Sequence, residues 1–154
     1  AADVLQGVQS LAREATARLL GGGGRAESAA SGVTPVLYKL LIYAPGGKFQ
    51  WHRDTEKLKH HFGSLVVQLP SEYTGGRLRA RFREKEISYE SGAGSDSSLT
   101  RTHYAAWWND VEHAVDAVVT GHRTVLVFNL LWKGDSSVPR DLGLDVTAGP
   151  KNPS

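Results

Sequence analysis

At 154 residues, with 40% hydrophobic and 22% charged side chains, the chain has the length and composition of one globular domain. It contains no cysteine, which excludes disulfides, thiolate ligands and a cysteine nucleophile, so any metal must be held by His, Asp or Glu. The formal net charge of +2, from 18 basic and 16 acidic side chains, is too small to indicate nucleic-acid binding by itself.

No segment of the sequence is typical of a membrane span or a secretory signal. The apolar runs fall far short of the about 20 residues that a membrane helix needs. The first residues, Ala1-Ala2-Asp3, lack the basic-then-apolar pattern of a signal peptide. We therefore expect a soluble protein with no membrane partner; its compartment stays open, with cytoplasm or nucleus favoured.

The chain begins with a segment that has helical periodicity. Over about residues 3–20, apolar side chains recur at intervals of three and four, at Val4, Val8, Leu11, Ala15 and Leu19. This stripe should pack on a sheet. Residues 21–32 are rich in Gly, Ser and Ala and have too little apolar surface to fold alone, which predicts a flexible linker.

From residue 33 onward the pattern changes to short β-branched and aromatic runs separated by Gly, Pro, Asn and Asp. Eight such runs, with a helix to cover one face, predict a mainly β protein built as a jelly roll or a related barrel. The predicted strands are Val36–Tyr43, Phe49–His52, Ser64–Leu69, Arg77–Arg83, Glu86–Tyr89, Thr102–Trp108, Ala114–Thr120 and Thr124–Trp132.

Two segments outside these strands have no regular pattern. Ser91–Ser98 is polar and Gly-rich, which predicts a surface loop. Residues 133–154 have little periodicity, so we expect a tail that lies on the surface or frays. Together these patterns predict a single domain with a helix over 1–20, a linker over 21–32, a β core over 33–132 and the tail.

Three side chains that can bind a metal stand at strand ends. His52 and Asp54 are separated by one residue, and on an extended chain such residues point to the same side. His113, at the start of a distant apolar strand, would complete a three-ligand face. Two imidazoles and one carboxylate on one side of an iron leave other positions open for oxygen chemistry. The alternative is three surface residues at strand ends.

The other four histidines have contexts that favour solvent exposure or ordinary hydrogen bonds. Two are adjacent in a polar stretch, one lies on a strand, and one follows a glycine in a turn; these are His60, His61, His103 and His122. We expect none of them to be a metal ligand.

Arg123 follows His113 by ten residues. A guanidinium presents a planar fork of donors that matches a carboxylate, and it stays charged inside an apolar barrel. If Arg123 points inward, a small dicarboxylate can anchor one end on it and chelate iron with the other. An outward arginine at a strand start fits the local sequence equally well.

Four arginines alternate with apolar residues along one predicted strand, which places them on one face. Such a stripe can receive an acidic polypeptide or a phosphate backbone. A solvated outer face that discourages edge pairing is the favoured alternative. The four residues are Arg77, Arg79, Arg81 and Arg83.

In order and spacing, five sequence elements resemble the prolyl-hydroxylase-like branch of the Fe(II)/2-oxoglutarate-dependent dioxygenases. The resemblance implies a double-stranded β-helix, the distorted jelly roll of that superfamily, with Fe(II) as cofactor and 2-oxoglutarate as cosubstrate. The similarity spans about residues 36–132. The elements are Tyr43–Gly47 (YAPGG), His52–Asp54 (HRD), Gly75–Leu78 (GGRL), His113 and Arg123.

The resemblance also implies roles for individual residues. Arg123 would bind the distal carboxylate of 2-oxoglutarate, and Tyr43 would contact cosubstrate or substrate. Gln68 falls where prolyl hydroxylases tend to carry a Tyr or Thr that helps to hold 2-oxoglutarate; it departs from that pattern but can still donate a hydrogen bond. The implied Fe(II) ligands are His52, Asp54 and His113.

The implied reaction couples decarboxylation of 2-oxoglutarate to hydroxylation of a C–H bond, with ascorbate as a candidate reductant. Asp54 favours hydroxylation, because related halogenases replace this carboxylate by a small residue. The nucleic-acid demethylases of the superfamily usually carry a second Arg soon after the cosubstrate Arg, and none follows Arg123 here. Nucleic acid is therefore a less favoured substrate.

We predict hydroxylation of a protein or peptide side chain, with proline first among the candidates. The segment Thr55–Gly63 corresponds to a loop that often closes over peptide substrates in this branch; a charged, solvated connection is the alternative. Two other functions stay open. One is a small-molecule or nucleic-acid oxygenase with the same iron centre, and the other is a catalytically silent metal-binding or interaction module.

Overall fold

The N-terminal helix packs on a β-sheet in the computed structural model, which describes residues 2–89, 101–134 and 146–150. This helix, α1 (Ala2–Leu19), buries Leu11, Ala15 and Leu19. Val4 is 69% exposed, so the buried part of the predicted stripe begins only at Val8. The predicted helix on the sheet is confirmed. Within the described ranges, no helix is long and apolar enough to cross a membrane.

The segment after α1 is more ordered than its composition suggests. Gly21–Gly23 have positive φ, which glycine adopts at little cost, and they reverse the chain. A second helix, α2 (Gly24–Ala30), follows at once and buries Ala26 and Ala30 beside α1. The prediction of a flexible linker over 21–32 is therefore wrong for most of its length. Alanines four residues apart form a small apolar face, which α1 covers.

Strands make up most of the remaining described chain. They are β1 (Val33–Tyr43), β2 (Phe49–His52), β3 (His61–Gln68), β4 (Tyr73–Gly75), β5 (Leu78–Phe82), β6 (Lys85–Tyr89), β7 (His103–Trp108), β8 (Glu112–Val115), β9 (Val118–Gly121), β10 (Arg123–Trp132) and β11 (Val146–Pro150).

The strands form two main antiparallel sheets and a small ribbon. The five-stranded sheet has the order β1-β10-β3-β7-β11, and the four-stranded sheet has the order β2-β8-β5-β6. Strands β4 and β9 pair with each other. The helix α1 contacts β1, β7 and β11 of the larger sheet. The fold is the double-stranded β-helix that the sequence predicted.

One predicted strand, Ala114–Thr120, is divided between two sheets. Strand β8 pairs with β2 and β5, whereas β9 pairs with β4. The break falls at Asp116, whose backbone N–H donates to the carbonyl of Arg77 at 2.9 Å and whose carboxylate pairs with Nε of Arg79 at 3.0 Å. These partners are distant in sequence, so the local pattern does not reveal the break.

Two strands have no counterpart in the prediction. Strand β4 is only three residues long. Strand β11 lies within the predicted tail and pairs with β7, so this part of the tail extends the larger sheet. The predicted loop Ser91–Ser98 lies outside the described residues.

The inner side of the larger sheet carries the polar residues that matter for function. Ser64 on β3 stands opposite both Trp107 on β7 and Asn129 on β10. At the far end of the same sheet, Arg123 on β10 stands opposite Tyr43 on β1. All five side chains line one cavity that also includes residues of the four-stranded sheet. The site therefore lies between the two sheets.

Candidate metal centre

The three predicted metal ligands meet at one end of the four-stranded sheet. His52 ends β2 and is the direct cross-strand partner of His113 on β8, with ring centroids 4.2 Å apart. Asp54 follows β2 by two residues and turns towards both rings. One potential ligand atom from each residue lies within 4.8 Å of the other two. The residues that the sequence suggested as a set are thus together in space.

Backbone hydrogen bonds orient both imidazoles in the same way. Nδ1 of His52 lies 2.7 Å from the carbonyl oxygen of Gln50. Nδ1 of His113 lies 3.2 Å from the carbonyl oxygen of Val111. Donation from Nδ1–H leaves the lone pair of Nε2 available on each ring. The two Nε2 atoms face Oδ1 of Asp54, at 3.9 Å for His52 and 3.6 Å for His113.

The two oxygens of Asp54 have different environments. Oδ2 accepts a hydrogen bond from Ser64 Oγ at 2.7 Å and another from Trp107 Nε1 at 2.9 Å. The Trp107 ring also packs on His113, with centroids 4.4 Å apart. Oδ1 therefore points to the two imidazoles while Oδ2 is held by the other sheet.

The local sequence does not reveal these supporting contacts, because they join Asp54 to two strands of the larger sheet. A polar residue at the start of the apolar run Leu65–Val67 was the available signal for Ser64. For Trp107, the signal was an indole N–H in a buried strand, which usually needs a partner.

The protonation states suit a metal. Burial raises the pKa of Asp54 and is the largest single effect, but nearby His113 and the hydrogen bonds from Ser64 and Trp107 together bring that pKa below its ordinary value. Burial lowers the pKa of His113, and Asp54 opposes part of this shift. An ionised carboxylate and a neutral imidazole are the forms that bind a divalent transition metal.

The donor set fits Fe(II). Two imidazole nitrogens and one carboxylate oxygen converge from one side, while the cavity occupies the other. That arrangement leaves several coordination positions for exogenous ligands, as in the two-histidine, one-carboxylate sites of non-haem iron oxygenases. The hydrogen bonds of the ligands to the protein match those that usually orient metal-bound His and Asp.

The cavity has a volume of about 810 Å³, including its open mouth, and Arg123 lies in its wall. Arg123 is only 3% exposed, and its Nε has no hydrogen-bond partner among the described residues. Its guanidinium carbon lies 5.4 Å from the centroid of the Tyr43 ring. A buried, unpartnered guanidinium N–H is costly unless an anion completes it. The outward alternative for Arg123 is therefore wrong.

Gly76 makes room for Arg123. A Cβ on Gly76 would lie 3.1 Å from Cδ of Arg123 and 3.2 Å from the Tyr73 ring. Gly76 also has a φ of +65°, which disfavours side-chain-bearing residues. The Gly-Gly element of the sequence thus has a physical role beside the cavity.

Tyr43 also lies in the wall of the cavity. Its ring is buried, lines the cavity and faces Arg123. Burial raises the pKa of its hydroxyl, and the positive charge of Arg123 opposes part of that shift. Tyr43 is therefore a neutral phenol that can donate a hydrogen bond into the cavity.

Gln68 does not line the main cavity. It lies in the wall of a smaller adjoining cavity of about 210 Å³, which shares Arg123 with the main one. Its Oε1 accepts a hydrogen bond from Tyr73 Oη at 2.8 Å. The structure thus places Gln68 behind Arg123, and direct contact with the cosubstrate is not supported by this geometry.

The other four histidines lie away from the centre. His61 is buried and hydrogen-bonded to the Gly63 carbonyl at 2.9 Å. His103 is buried with Nδ1 at 3.0 Å from Tyr89 Oη. His60 and His122 are exposed. The metal group found among the described residues contains none of the four.

Phe49 and Trp107 are two of the aromatic residues that line the cavity. Trp108 and Phe128 belong to the hydrophobic core. Trp51 lies under two arginines, with guanidinium carbons 5.1 Å and 4.2 Å from its ring for Arg79 and Arg81.

The arginine stripe is only partly as predicted: Arg79 and Arg81 lie on an outer face of β5, but β5 lies between β8 and β6 and is not an edge strand. Arg79 pairs with Asp116 at 3.0 Å, and Arg81 pairs with Glu112 at 2.7 Å. Between these arginines, Ala80 is buried in the core. The acidic neighbours offset the charge of Arg79 and Arg81, so these two side chains already have anionic partners.

Comparison with known proteins identifies the relevant family. A model of the 2OG-Fe(II) oxygenase superfamily matches residues 38–131. An oxidoreductase of the 2OG-Fe(II) oxygenase family from Burkholderia pseudomallei has 18% identity and a TM-score of 0.50, with coverage of 66% of this chain and 44% of that one. None of the curated proteins matches the chain significantly.

Two further solved structures are similar at lower TM-scores. A Pseudomonas putida prolyl-4-hydroxylase has 22% identity and a TM-score of 0.47, with coverage of 62% of this chain and 50% of that one. A cupin domain from Bordetella pertussis has 19% identity and a TM-score of 0.36, with coverage of 64% and 93%. The chain spans about half the length of the two oxygenases.

Proposed function

Since the chain belongs to the 2OG-Fe(II) oxygenase superfamily, we propose that it hydroxylates a C–H bond of a protein or peptide at an iron bound by His52, Asp54 and His113. The protein is an Fe(II)- and 2-oxoglutarate-dependent dioxygenase. The observation that carries the proposal is the buried, unpartnered Nε of Arg123 in the cavity that contains the three ligands.

The ligands are held for iron before it binds. Nε2 of each histidine and Oδ1 of Asp54 would be the three donor atoms, because Nδ1 and Oδ2 are already engaged with the protein. When bound, Fe(II) supplies the activation of O2. The protein contributes orientation of the ligands and a partly enclosed site between the sheets.

Arg123 would bind the distal carboxylate of 2-oxoglutarate. Its guanidinium offers charge-assisted hydrogen bonds in a site shielded from water, where such bonds are strong. Tyr43, whose ring faces Arg123, would donate from its neutral hydroxyl to the same cosubstrate. The 2-oxo acid end would then lie towards the three metal ligands, because Arg123 and Tyr43 hold the distal end of the molecule and all five residues line one cavity.

The reaction consumes one molecule each of 2-oxoglutarate, O2 and a substrate with a C–H bond. It yields succinate, CO2 and the hydroxylated product. One oxygen atom of O2 enters the new carboxylate of succinate, and the other enters the hydroxyl group. No external reductant is needed for this balance.

A peptidyl substrate, with proline first, is supported by the motifs of the sequence and by the shape of the site. The YAPGG, HRD and GGRL elements resemble prolyl hydroxylases. Asp54 retains the carboxylate that hydroxylases need. The mouth of the cavity is lined by exposed residues, among them Tyr38 and Thr55, so a side chain of a larger polypeptide can enter from solvent.

The test is the conversion of 2-oxoglutarate to succinate by the purified chain with Fe(II) and O2. We expect slow turnover without substrate, and its loss in His113→Ala. His122→Ala, which removes an exposed imidazole, is the matched control and should retain turnover. Arg123→Gln should raise the KM for 2-oxoglutarate by at least about tenfold, since a charge-assisted pair is lost. Absence of both turnover and 2-oxoglutarate binding would contradict the proposal.

Substrate class needs its own measurement. Pools of peptides with proline, lysine or asparagine at the centre, incubated with enzyme, Fe(II) and 2-oxoglutarate, should show gain of one oxygen atom by mass spectrometry only in the proline pool. Gain of oxygen only in the lysine or asparagine pool would mean that this residue, and not proline, is the target.

A further inference from the structure

The mouth of the cavity differs in character from its interior. The exposed lining residues include Tyr38, Phe49, Arg53 and Lys57, whereas the interior is formed by buried side chains. The strand β1 is irregular at this point, because its register with β10 shifts between Leu37 and Lys39. A β-bulge re-aims the side chain within it, here that of Tyr38.

The mouth is rich in positive charge. Lys39, Arg53 and Lys57 line the cavity, and Asp54 is the one acidic side chain among the described lining residues. Asp54 points inward to the metal site, where Ser64 and Trp107 hold it. Arg53 is exposed at the same rim, so three cationic side chains surround the mouth.

Two ammonium groups are gathered over the same aromatic ring. Nζ of Lys39 lies 5.1 Å from the centroid of the Tyr38 ring, and Nζ of Lys57 lies 4.8 Å from it. Lys39 also lies over Phe49, at 5.7 Å. Cation–π contacts orient an ammonium group without neutralising its charge. Neither lysine forms an ion pair with a carboxylate in the described part of the chain.

Both ammonium groups stand at the rim without a carboxylate partner among the described residues. A carboxylate brought to the rim would gain charge-assisted hydrogen bonds from them. The site is not formed from scattered surface lysines, since both groups belong to the cavity that leads to the metal ligands.

We propose that the substrate is an acidic polypeptide segment, in which a Glu or Asp close to the reacting residue binds at the rim beside Lys39 and Lys57. This inference rests on the proposed function and gives it a substrate class. The reacting side chain would pass the mouth and reach the iron, while the neighbouring carboxylate stays at the rim. Lys57 follows Asp54 by three residues, so the rim and the metal site are adjacent.

A peptide fits these features better than a nucleic acid. A phosphate backbone is usually bound by an extended row of cations, whereas Lys39, Arg53 and Lys57 are grouped around one opening. The arginines of β5 cannot extend the row, since Arg79 and Arg81 are paired with acids. Bases would stack on open aromatic faces, whereas the Tyr38 ring already carries ammonium groups.

The test compares labelled peptides of equal length with alternating Glu-Pro, Ser-Pro or Lys-Pro sequence, by fluorescence anisotropy at low salt. We expect the Glu-Pro peptide to bind about tenfold more tightly than the Ser-Pro peptide, as two exposed ion pairs allow. The double variant Lys39→Glu/Lys57→Glu should lose this preference and bind the Lys-Pro peptide instead.

The matched control is Lys59→Glu/Lys85→Glu, which changes the net charge equally at two exposed positions that do not line the cavity. It should keep the preference for Glu-Pro. Equal binding of Glu-Pro and Ser-Pro, or equal loss in both double variants, would overturn the proposal. The proposal would also be overturned if a single-stranded oligothymidylate bound more tightly than the Glu-Pro peptide and if that binding required Lys39 and Lys57. Because the assay needs no turnover, its failure is separable from failure of succinate formation.

Discussion

The indole of Trp107 contacts two of the three proposed iron ligands. Its N–H donates to Oδ2 of Asp54, and its ring packs on His113. Ser64 makes the second bond to the same carboxylate oxygen. The direction in which Asp54 presents Oδ1 thus depends on residues of the opposite sheet, which would not themselves touch the metal.

Trp107→Phe should weaken metal binding while the fold persists. Phenylalanine keeps an aromatic ring beside His113 but removes the donor to Asp54, and loss of such a supporting bond typically costs about tenfold or more in affinity. Titration with Mn(II) would measure the Kd, and thermal unfolding would check the fold. Trp108→Phe is the control, since Trp108 packs against Phe62 away from the cavity. Equal Kd values for both variants would contradict this role.

Gly76→Ala should impair 2-oxoglutarate binding through Arg123. The added methyl would crowd Cδ of Arg123 at 3.1 Å, in addition to the cost of a positive φ, about 1 kcal/mol or more. Gly46→Ala is a matched control, because Gly46 has φ +85° but open space around its Cβ position. We expect both variants to lose stability to urea and only Gly76→Ala to bind 2-oxoglutarate more weakly. Similar 2-oxoglutarate affinities in the two variants would mean that the added methyl group does not disturb Arg123.

Secondary-structure elements differed in how well their sequences predicted them. The strands β2, β5 and β10 were located well because each has a regular apolar pattern with turn residues at its ends. In β5, the buried Ala80 and the paired Arg79 and Arg81 follow the predicted alternation. Helix α2 and strands β4 and β11 were missed, because short segments depend on their neighbours rather than on their own composition.

Helix α1 is stabilised by its buried stripe. Leu11→Ala should destabilise the fold by about 3 kcal/mol, since Leu11 is 3% exposed and its truncation leaves a cavity. Leu5→Ala is the control on the same helix, with Leu5 72% exposed, and should change stability little. Urea unfolding followed by tryptophan fluorescence measures both. A similar loss in the two variants would mean that α1 is not docked as described.

At the level of the molecule, the grouping of the three metal-binding side chains and the inward position of Arg123 could be predicted because five ordered motifs resemble a known family, whereas the local sequence left both open. The direct role of Gln68 could not be judged from sequence, because its distance from the cavity depends on how two sheets pack. Likewise, the contacts of Ser64 and Trp107 with Asp54 join residues of opposite sheets. Register and sheet packing are long-range properties that a local pattern does not contain.

The stability of the folded protein should fall below neutral pH, in part through His61. Nε2 of its buried ring donates to the Gly63 carbonyl, and Nδ1 accepts from the backbone N–H of Lys57, so the neutral ring satisfies both. Burial, the largest effect, lowers the pKa of His61 from its ordinary value of 6.5. The unfolded chain therefore binds a proton near pH 6.5 that the folded chain does not, and stability decreases as pH falls through that value.

This contribution can be isolated with His61→Gln, whose side chain also offers a donor and an acceptor but does not titrate. Urea unfolding at pH 7.5 and 5.5 should show a smaller loss of stability in the variant than in the parent protein. Other titrating groups act equally in both proteins, so only the difference reports on His61. An unchanged pH dependence would exclude it as a contributor.

The three proposed iron ligands belong to β2, β8 and the turn after β2, whereas Arg123 belongs to β10 of the other sheet. In the proposed binding mode, a single 2-oxo diacid spans from one sheet to the other. The separation of the two sheets would then determine which length of diacid binds best. Oxaloacetate, one carbon shorter than 2-oxoglutarate, would not satisfy both ends at once, and 2-oxoadipate, one carbon longer, would have to bend. Core substitutions that change the sheet separation should therefore alter which diacid is preferred, without touching any residue that binds it.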